Sequence, residues 1–259
     1  MKLRFLMMLL LVAPALMAAS PPDLRGFAYK QRLGNRLPLQ TVFRDETGRS
    51  VQLSELLGGK PLILVLLYFH CPNLCGIVQT DLFDALGKTG MTAGRDYTLI
   101  ALSIDPSETV ADAKAAKADD LSRYPLPGAE QSWHFLTGPA YQVQVVADSV
   151  GFRDRFDPEL KQFLHPAGVV FVTPAGIISS YLLGVGYEPA DVRLSVTRAS
   201  LGSVAAPTLP VLLLCYHYDP QTGRYTLDVM RLLRLAGLIT IATIAGTWFF
   251  AFRRESGGA

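Results

Sequence analysis

The 259-residue chain is poor in residues that bind metals or form cross-links, with three cysteines and four histidines. It also has little excess charge, because 24 basic residues are balanced by 22 acidic ones for a formal net charge of +2. A balance this even provides no basic surface of the kind that binds nucleic acid. Internal repeats and low-complexity tracts are absent from the sequence too, so nothing in it predicts a repeat architecture.

Two of the cysteines, Cys71 and Cys75, lie in the stretch YFHCPNLCGIVQ with three residues between them. Thioredoxin-type redox motifs have two intervening residues, and a zinc site normally needs four ligands, which one such pair does not supply. Thiol peroxidases of related architecture have a threonine three residues before the reactive cysteine, where this chain has Tyr68. These absences disfavour a thioredoxin motif, a structural zinc site and a peroxidase.

The cysteine pair has the placement of a reactive site. Cys71 follows the apolar run Pro61–Phe69, which predicts a buried strand, and Cys75 falls in the first turn of the next predicted helix. Residues i and i+4 lie on one helix face about 6 Å apart, so both sulfurs could bind one metal ion or form a disulfide. The helix N-terminus stabilises the thiolate form. A permanent disulfide or a merely buried pair is the structural alternative, although so short a loop gains little entropy from a disulfide.

A third ligand would complete a metal site around this pair. Two thiolates suit Cu(I), and thiolates with an imidazole favour copper over calcium or magnesium. His165 is the best candidate, because it directly precedes the predicted strand Gly168–Thr173, which should pair near the first strand. The adjacent Pro166 is a candidate for the cis proline that thioredoxin-like folds often place opposite reactive cysteines.

The other histidines are weaker candidates. His70 adjoins the first cysteine, but its side chain should leave the strand end on the other side. His134 lies inside the predicted strand WHFLTG and is more typical of a structural histidine. Cys215 and His217 alternate on one strand face near the C-terminus, where a second metal site and a buried cysteine beside a polar side chain are both open interpretations.

Predicted strands and helices alternate along residues 20–206, a length typical of one domain. The run Tyr97–Asp105 predicts a second buried strand, and GVVFVTPAGIISSYLLG predicts a late antiparallel pair that turns at Pro174–Gly176. This order predicts an α/β domain with a mixed central sheet flanked by helices.

Three of the predicted helices have bounds that the sequence indicates directly. A short helix is predicted at Leu53–Leu57 and a last one at Pro189–Ser200. Another is predicted to begin at Pro106 and to run to about Tyr124, because proline is favoured in the first turn of a helix.

Apolar runs long enough for a signal peptide or a membrane span occur only at the two ends. Residues 1–19 have the layout of a signal peptide, with cleavage or retention as an anchor both open. Residues 235–252 carry no charge and, at about 1.5 Å per residue, are long enough to cross a bilayer as a helix, the alternative being a buried core helix. Residues 207–234 would then form a linker and membrane-proximal hairpin, and residues 253–259 a cytoplasmic tail. The soluble domain would face the periplasmic side of the cytoplasmic membrane.

Three stretches, YFHCPNLCGIVQTDL, ALSIDPSET and FLHPAGVVFVTPAGIISSYLLG, resemble the Sco/SenC family in this order and spacing. The resemblance extends over roughly residues 35–235. It implies a thioredoxin-like fold and copper bound through Cys71, Cys75 and His165. It also implies that the chain delivers copper to the binuclear copper site of cytochrome c oxidase, or reduces the cysteines of that site. The partner would be the copper-bearing oxidase subunit or another cuproprotein.

Two positions depart from the family pattern. Gly76 stands where many members have proline, and Leu164 stands where many have aspartate before the histidine. The missing carboxylate removes a group that could orient the imidazole.

A membrane-tethered copper chaperone is the leading hypothesis, because two thiolates and an imidazole suit a soft metal. The alternative is a thiol–disulfide oxidoreductase in which Cys71 attacks, Cys75 resolves and no metal is needed.

Overall fold

The computed structural model of the chain describes residues 28–70, 74–158 and 162–206, with the short stretches 216–219, 224–227, 237–241 and 243–246. The predicted signal peptide lies outside the described residues. The strands are β1 (Ala28–Tyr29), β2 (Val42–Arg44), β3 (Ser50–Gln52), β4 (Leu62–Leu67), β5 (Thr98–Ser103), β6 (Trp133–Leu136), β7 (Phe152–Arg153), β8 (Arg155–Asp157), β9 (Gln162–Leu164), β10 (Gly168–Val172), β11 (Ile178–Leu183), β12 (Tyr216–Asp219) and β13 (Arg224–Leu227). The helices are α1 (Leu53–Leu57), α2 (Leu74–Thr89), α3 (Val110–Arg123), α4 (Ala129–Ser132), α5 (Ala140–Val150) and α6 (Pro189–Ser200).

Five strands form the central sheet in the order β11–β10–β4–β5–β6. Strands β4, β5 and β6 are parallel, whereas β10 is antiparallel to β4 and β11 is antiparallel to β10. Every residue of β4 and β5 is buried, so both faces of the sheet are covered, as their continuous apolar runs predict. The predicted mixed sheet and its late antiparallel pair are therefore confirmed.

The helices pack against this sheet and connect its strands. Helix α6 packs against β4, β10, β11 and α2, and α3 packs against β6.

The sequence predicted α3 to begin at Pro106, but it begins at Val110, where Thr109 caps it. The preceding residues form a turn instead, because an Asp105 carboxylate oxygen accepts hydrogen bonds from the N–H and the hydroxyl of Ser107.

The sequence missed the β8–β9 hairpin, whose antiparallel pairing joins Arg155 to Leu164. Each strand has only three residues, and none of them is buried, so neither shows the alternation that indicates a strand. This hairpin ends directly before His165, so it helps to place the predicted ligand.

Near the C-terminus, β12 and β13 pair antiparallel within residues 207–234, and the position of this pair beside a membrane stays a prediction. No helix among the described residues is long and apolar enough to cross a membrane. The predicted span 235–252 is described only at residues 237–241 and 243–246, which are helical.

Stability should respond to pH through Asp120, a buried residue of α3 that accepts hydrogen bonds from Gln79 and Arg123. Burial raises the pKa of Asp120 to about 6, and the Arg123 guanidinium opposes part of that rise. The folded state therefore holds this proton more tightly than the unfolded state. The resulting stabilisation is present below about pH 4 and is lost as the pH rises through about 6.

Asp120→Asn should consequently gain stability relative to the wild type between about pH 4 and pH 7.5, by up to about 2–3 kcal/mol. Urea unfolding of both proteins at several pH values measures this difference. Asp119→Asn is the matched control, because Asp119 contacts the same Arg123 at 2.7 Å from an exposed position. If both variants show the same pH dependence, burial of Asp120 is not its cause.

Candidate metal centre

Strand β4 carries the chain to the edge of the sheet, and the cysteine pair follows it in the sequence. After its last residue, Tyr68 remains buried, Phe69 is half-buried and His70 is exposed. Cys71 lies outside the described residues. Cys75 is the second residue of α2, in the first turn as predicted, but its side chain is outside the description. The ligand role of both cysteines therefore stays a prediction.

His165 lies at the same sheet edge. Strand β10 pairs antiparallel with β4, with Val170 opposite Leu64, so β10 begins beside the end of β4. The His165 ring, three residues before β10, meets the Tyr68 ring edge-on with 5.8 Å between centroids. The fold thus brings the predicted histidine to the strand end that leads into Cys71.

Two further contacts restrain this imidazole. Its Nδ1 lies 3.1 Å from the Pro166 carbonyl oxygen. The centroids of the Phe152 and His165 rings are 5.9 Å apart. A proton on Nδ1 would place the lone pair of His165 on Nε2. The prediction of a cis proline at Pro166 is wrong, because the described residues, Pro166 among them, contain no cis peptide bond.

Aromatic side chains continue away from the histidine. Phe163 of β9 packs against Tyr68 at 5.7 Å, and Phe156 of β8 packs against Phe163 at 5.2 Å. Phe156 is 50% exposed, so this cluster extends from the half-buried imidazole to the surface. The β8–β9 hairpin therefore lines one side of the site with apolar rings.

A carboxylate lies near His165 although Leu164 does not supply one. Burial raises the pKa of Asp154, whereas a hydrogen bond from its own backbone and the electrostatic influence of nearby His165 oppose part of that rise. Asp154 follows β7, the strand that supplies Phe152. Tertiary structure thus brings an acidic group close to the imidazole from a different part of the chain.

The sequence missed Glu108, whose side chain is 2% exposed. Its Oε2 accepts hydrogen bonds from the Phe69 N–H at 2.9 Å and the Ser103 hydroxyl at 2.5 Å. Its Oε1 accepts one from the His70 N–H at 2.8 Å and lies 3.2 Å from the His70 Nδ1. The stretch SIDPSET indicates a turn, and no local pattern shows that its glutamate reaches a strand end almost forty residues earlier.

The remaining histidines lie elsewhere. His70 points toward α3, where its Nε2 is 3.5 Å from Asp112, as expected for a side chain leaving the other side of the strand end. His134 is half-buried in β6, and burial lowers its pKa. His217 is in β12 with its side chain outside the description, and Cys215 lies outside the described residues. No three metal-binding side chains converge among the residues that the structure describes.

No family model matches the chain, and no curated protein matches it. Solved structures do. A protein from Aquifex aeolicus, assigned provisionally to electron transfer, is 27% identical with a TM-score of 0.58, and the match covers 66% of this chain and 95% of that one. The Arabidopsis thaliana ScoI structure with copper bound is 19% identical, with a TM-score of 0.52 and coverage of 66% and 99%.

A SCO1/SenC family lipoprotein from Bacillus anthracis is also similar, at 17% identity and a TM-score of 0.54, with 67% of this chain and 99% of that chain covered. In each case the match includes nearly all of the solved chain, so the likeness concerns the whole domain. The chain therefore has the fold of solved Sco/SenC proteins, and the resemblance that its motifs predict is confirmed at the level of the fold.

Proposed function

We propose that the chain is a membrane-tethered extracytoplasmic copper-binding protein. It delivers copper to the binuclear copper site of cytochrome c oxidase, or reduces the cysteines of that site before loading. The observation that carries the proposal is the position of the His165 ring against Tyr68, three residues before Cys71. Support also comes from the fold, which is that of a ScoI protein solved with copper bound.

The proposed ligands are Cys71, Cys75 and His165. Two thiolates with one imidazole form a soft set that suits copper better than oxygen-preferring cations. Because Cys75 lies in the first turn of α2, unpaired backbone N–H groups and the helix dipole favour its thiolate form. The half-buried imidazole, restrained by two rings, fits the third position.

Copper is the cargo in this proposal. Cu(I) would pass to the client by ligand exchange, in which a client thiolate forms a bond to copper as the bond from Cys71 or Cys75 breaks. The copper keeps its oxidation state throughout. In the reductive role, the Cys71 thiolate attacks a client disulfide and Cys75 then displaces the client, so that two electrons move to the client cysteines.

A tether at residues 235–252 supports delivery to a membrane-bound client, because it raises the local concentration of the two proteins. The described helical residues of this segment are not packed in a core. Leu238, Ile239, Ile241 and Ile244 are between 56% and 65% exposed, which favours a lipid environment over the alternative of a buried core helix. A solved relative that is itself a lipoprotein fits the same location at a membrane.

Replacing His165 with alanine should weaken Cu(I) binding by at least about tenfold, because even groups that only orient a metal ligand contribute that much. The measurement is a titration of the reduced full-length chain, kept in detergent, in competition with a chromophoric chelator. His134→Ala is the matched control, since β6 is separated from β4 by β5. Equal affinities for wild type and His165→Ala would remove His165 from the site.

The oxidoreductase alternative is favoured by the position of Cys75, which lies in the first turn of α2 and follows Cys71 by four residues in the sequence. It predicts that the metal-free chain, with a chelator present, reduces the disulfide of a peptide carrying the client's cysteine pair. His165→Ala should react at the wild-type rate, whereas Cys71→Ser should not react. Thiol release measured by a colorimetric reagent decides the question, and an inert wild-type chain would exclude this activity.

A further inference from the structure

The carboxylate of Glu108 holds the strand end that leads into the proposed copper site. Both of its oxygens are used, one for the Phe69 N–H and the Ser103 hydroxyl, the other for the His70 N–H. Phe69 and His70 follow the end of β4, where the pairing with neighbouring strands has ended, so their N–H groups need another acceptor. The next residue along the chain is Cys71.

This donor set requires a carboxylate. Burial of an acidic side chain is costly unless hydrogen bonds compensate for the lost water, and three donors surround Glu108. Glutamine would have the same shape, but its NH₂ group donates and cannot accept. Whichever way the amide turned, at least one donor of the strand end would face another donor.

Glu108 also determines where the neighbouring imidazole lies. The His70 ring is held between Glu108, 3.2 Å from Nδ1, and Asp112, 3.5 Å from Nε2. Both carboxylates belong to the segment that follows β5, whereas His165 precedes β10, and β5 and β10 flank β4 on opposite sides. The two imidazoles are thus kept on opposite sides of the strand end.

We propose that Glu108 is a positioning residue for Cys71: it fixes the backbone of the strand end and keeps the His70 imidazole on the α3 side, away from His165. This inference rests on the proposed function, because it assigns Cys71 as the thiolate that must face its partners. It extends that function by naming a buried residue, distant in sequence, on which the ligand geometry depends.

The test is Glu108→Gln in the full-length chain, with two measurements. Cu(I) affinity by chelator competition should fall about tenfold, as for other groups that orient metal ligands. The reduction potential of the Cys71–Cys75 pair, set against glutathione buffers without copper, should differ from that of the wild type. In that equilibrium the dithiol gives two electrons and two protons to glutathione disulfide, which becomes two glutathione thiols.

Asp45→Asn is the matched control. Asp45, with a side chain 6% exposed, accepts hydrogen bonds from two backbone N–H groups and one hydroxyl, as Glu108 does, but all of them come from its own β2–β3 hairpin. All three of these bonds reach one oxygen, Oδ1, which asparagine retains as its carbonyl oxygen, so Asp45→Asn removes a buried charge but keeps the local bonds. It should leave both measurements unchanged. If Glu108→Gln does not fold, Ser103→Ala decides, because it removes one donor to the carboxylate and should change both quantities in the same direction.

A change in either quantity in Glu108→Gln, or in Ser103→Ala as its substitute, without a change in Asp45→Asn supports the proposal. Wild-type values in the folded variant overturn it, and so does an equal change in the control. If the wild type binds no Cu(I) while Glu108→Gln still shifts the potential, the proposed copper function fails and the positioning role stands.

Discussion

The antiparallel pairing of β10 with β4 is the interaction on which the candidate metal centre depends. Strand β4 is buried along its whole length, and its exit carries the chain toward Cys71. Since β10 runs in the opposite direction beside it, β10 begins where β4 ends, and His165 meets Tyr68 there. The pairing is stable because both strands lie in the core, where each fully buried large apolar side chain contributes roughly 1.5–3 kcal/mol. A rigid sheet thus brings together residues that are far apart in sequence.

Polar and aromatic groups around the strand end complete the geometry that the sheet begins. Glu108 pairs with backbone N–H groups that no longer have a strand partner, and Ser103 orients one of its oxygens. On the other side, the Phe152 and Tyr68 rings pack against the imidazole of His165. The site lies at the carboxyl ends of parallel strands, where α/β domains expose loops on a fixed scaffold.

The strength of each local pattern decided how well the sequence predicted each element. Helices α1 and α6 have the predicted bounds, and the predicted strands contain β4, β5 and β10, because long apolar runs and clear start signals leave few alternatives. The start of α3 was placed too early because the turn held by Asp105 resembles a helix start. The β8–β9 hairpin was missed because its exposed three-residue strands carry no periodic signal.

The features of the candidate site also differ in how far the sequence alone predicts them. By itself the sequence determined that Cys71 and Cys75 are four residues apart. From spacing and residue type, which are local properties, it also predicted the soft ligand set and His165 as the third ligand. Tertiary structure alone decided what surrounds the imidazole and that Glu108 reaches the strand end. These contacts join segments whose separation along the chain is unrelated to their distance in the fold. The pairing and packing of the whole sheet set that distance, and no local pattern carries it.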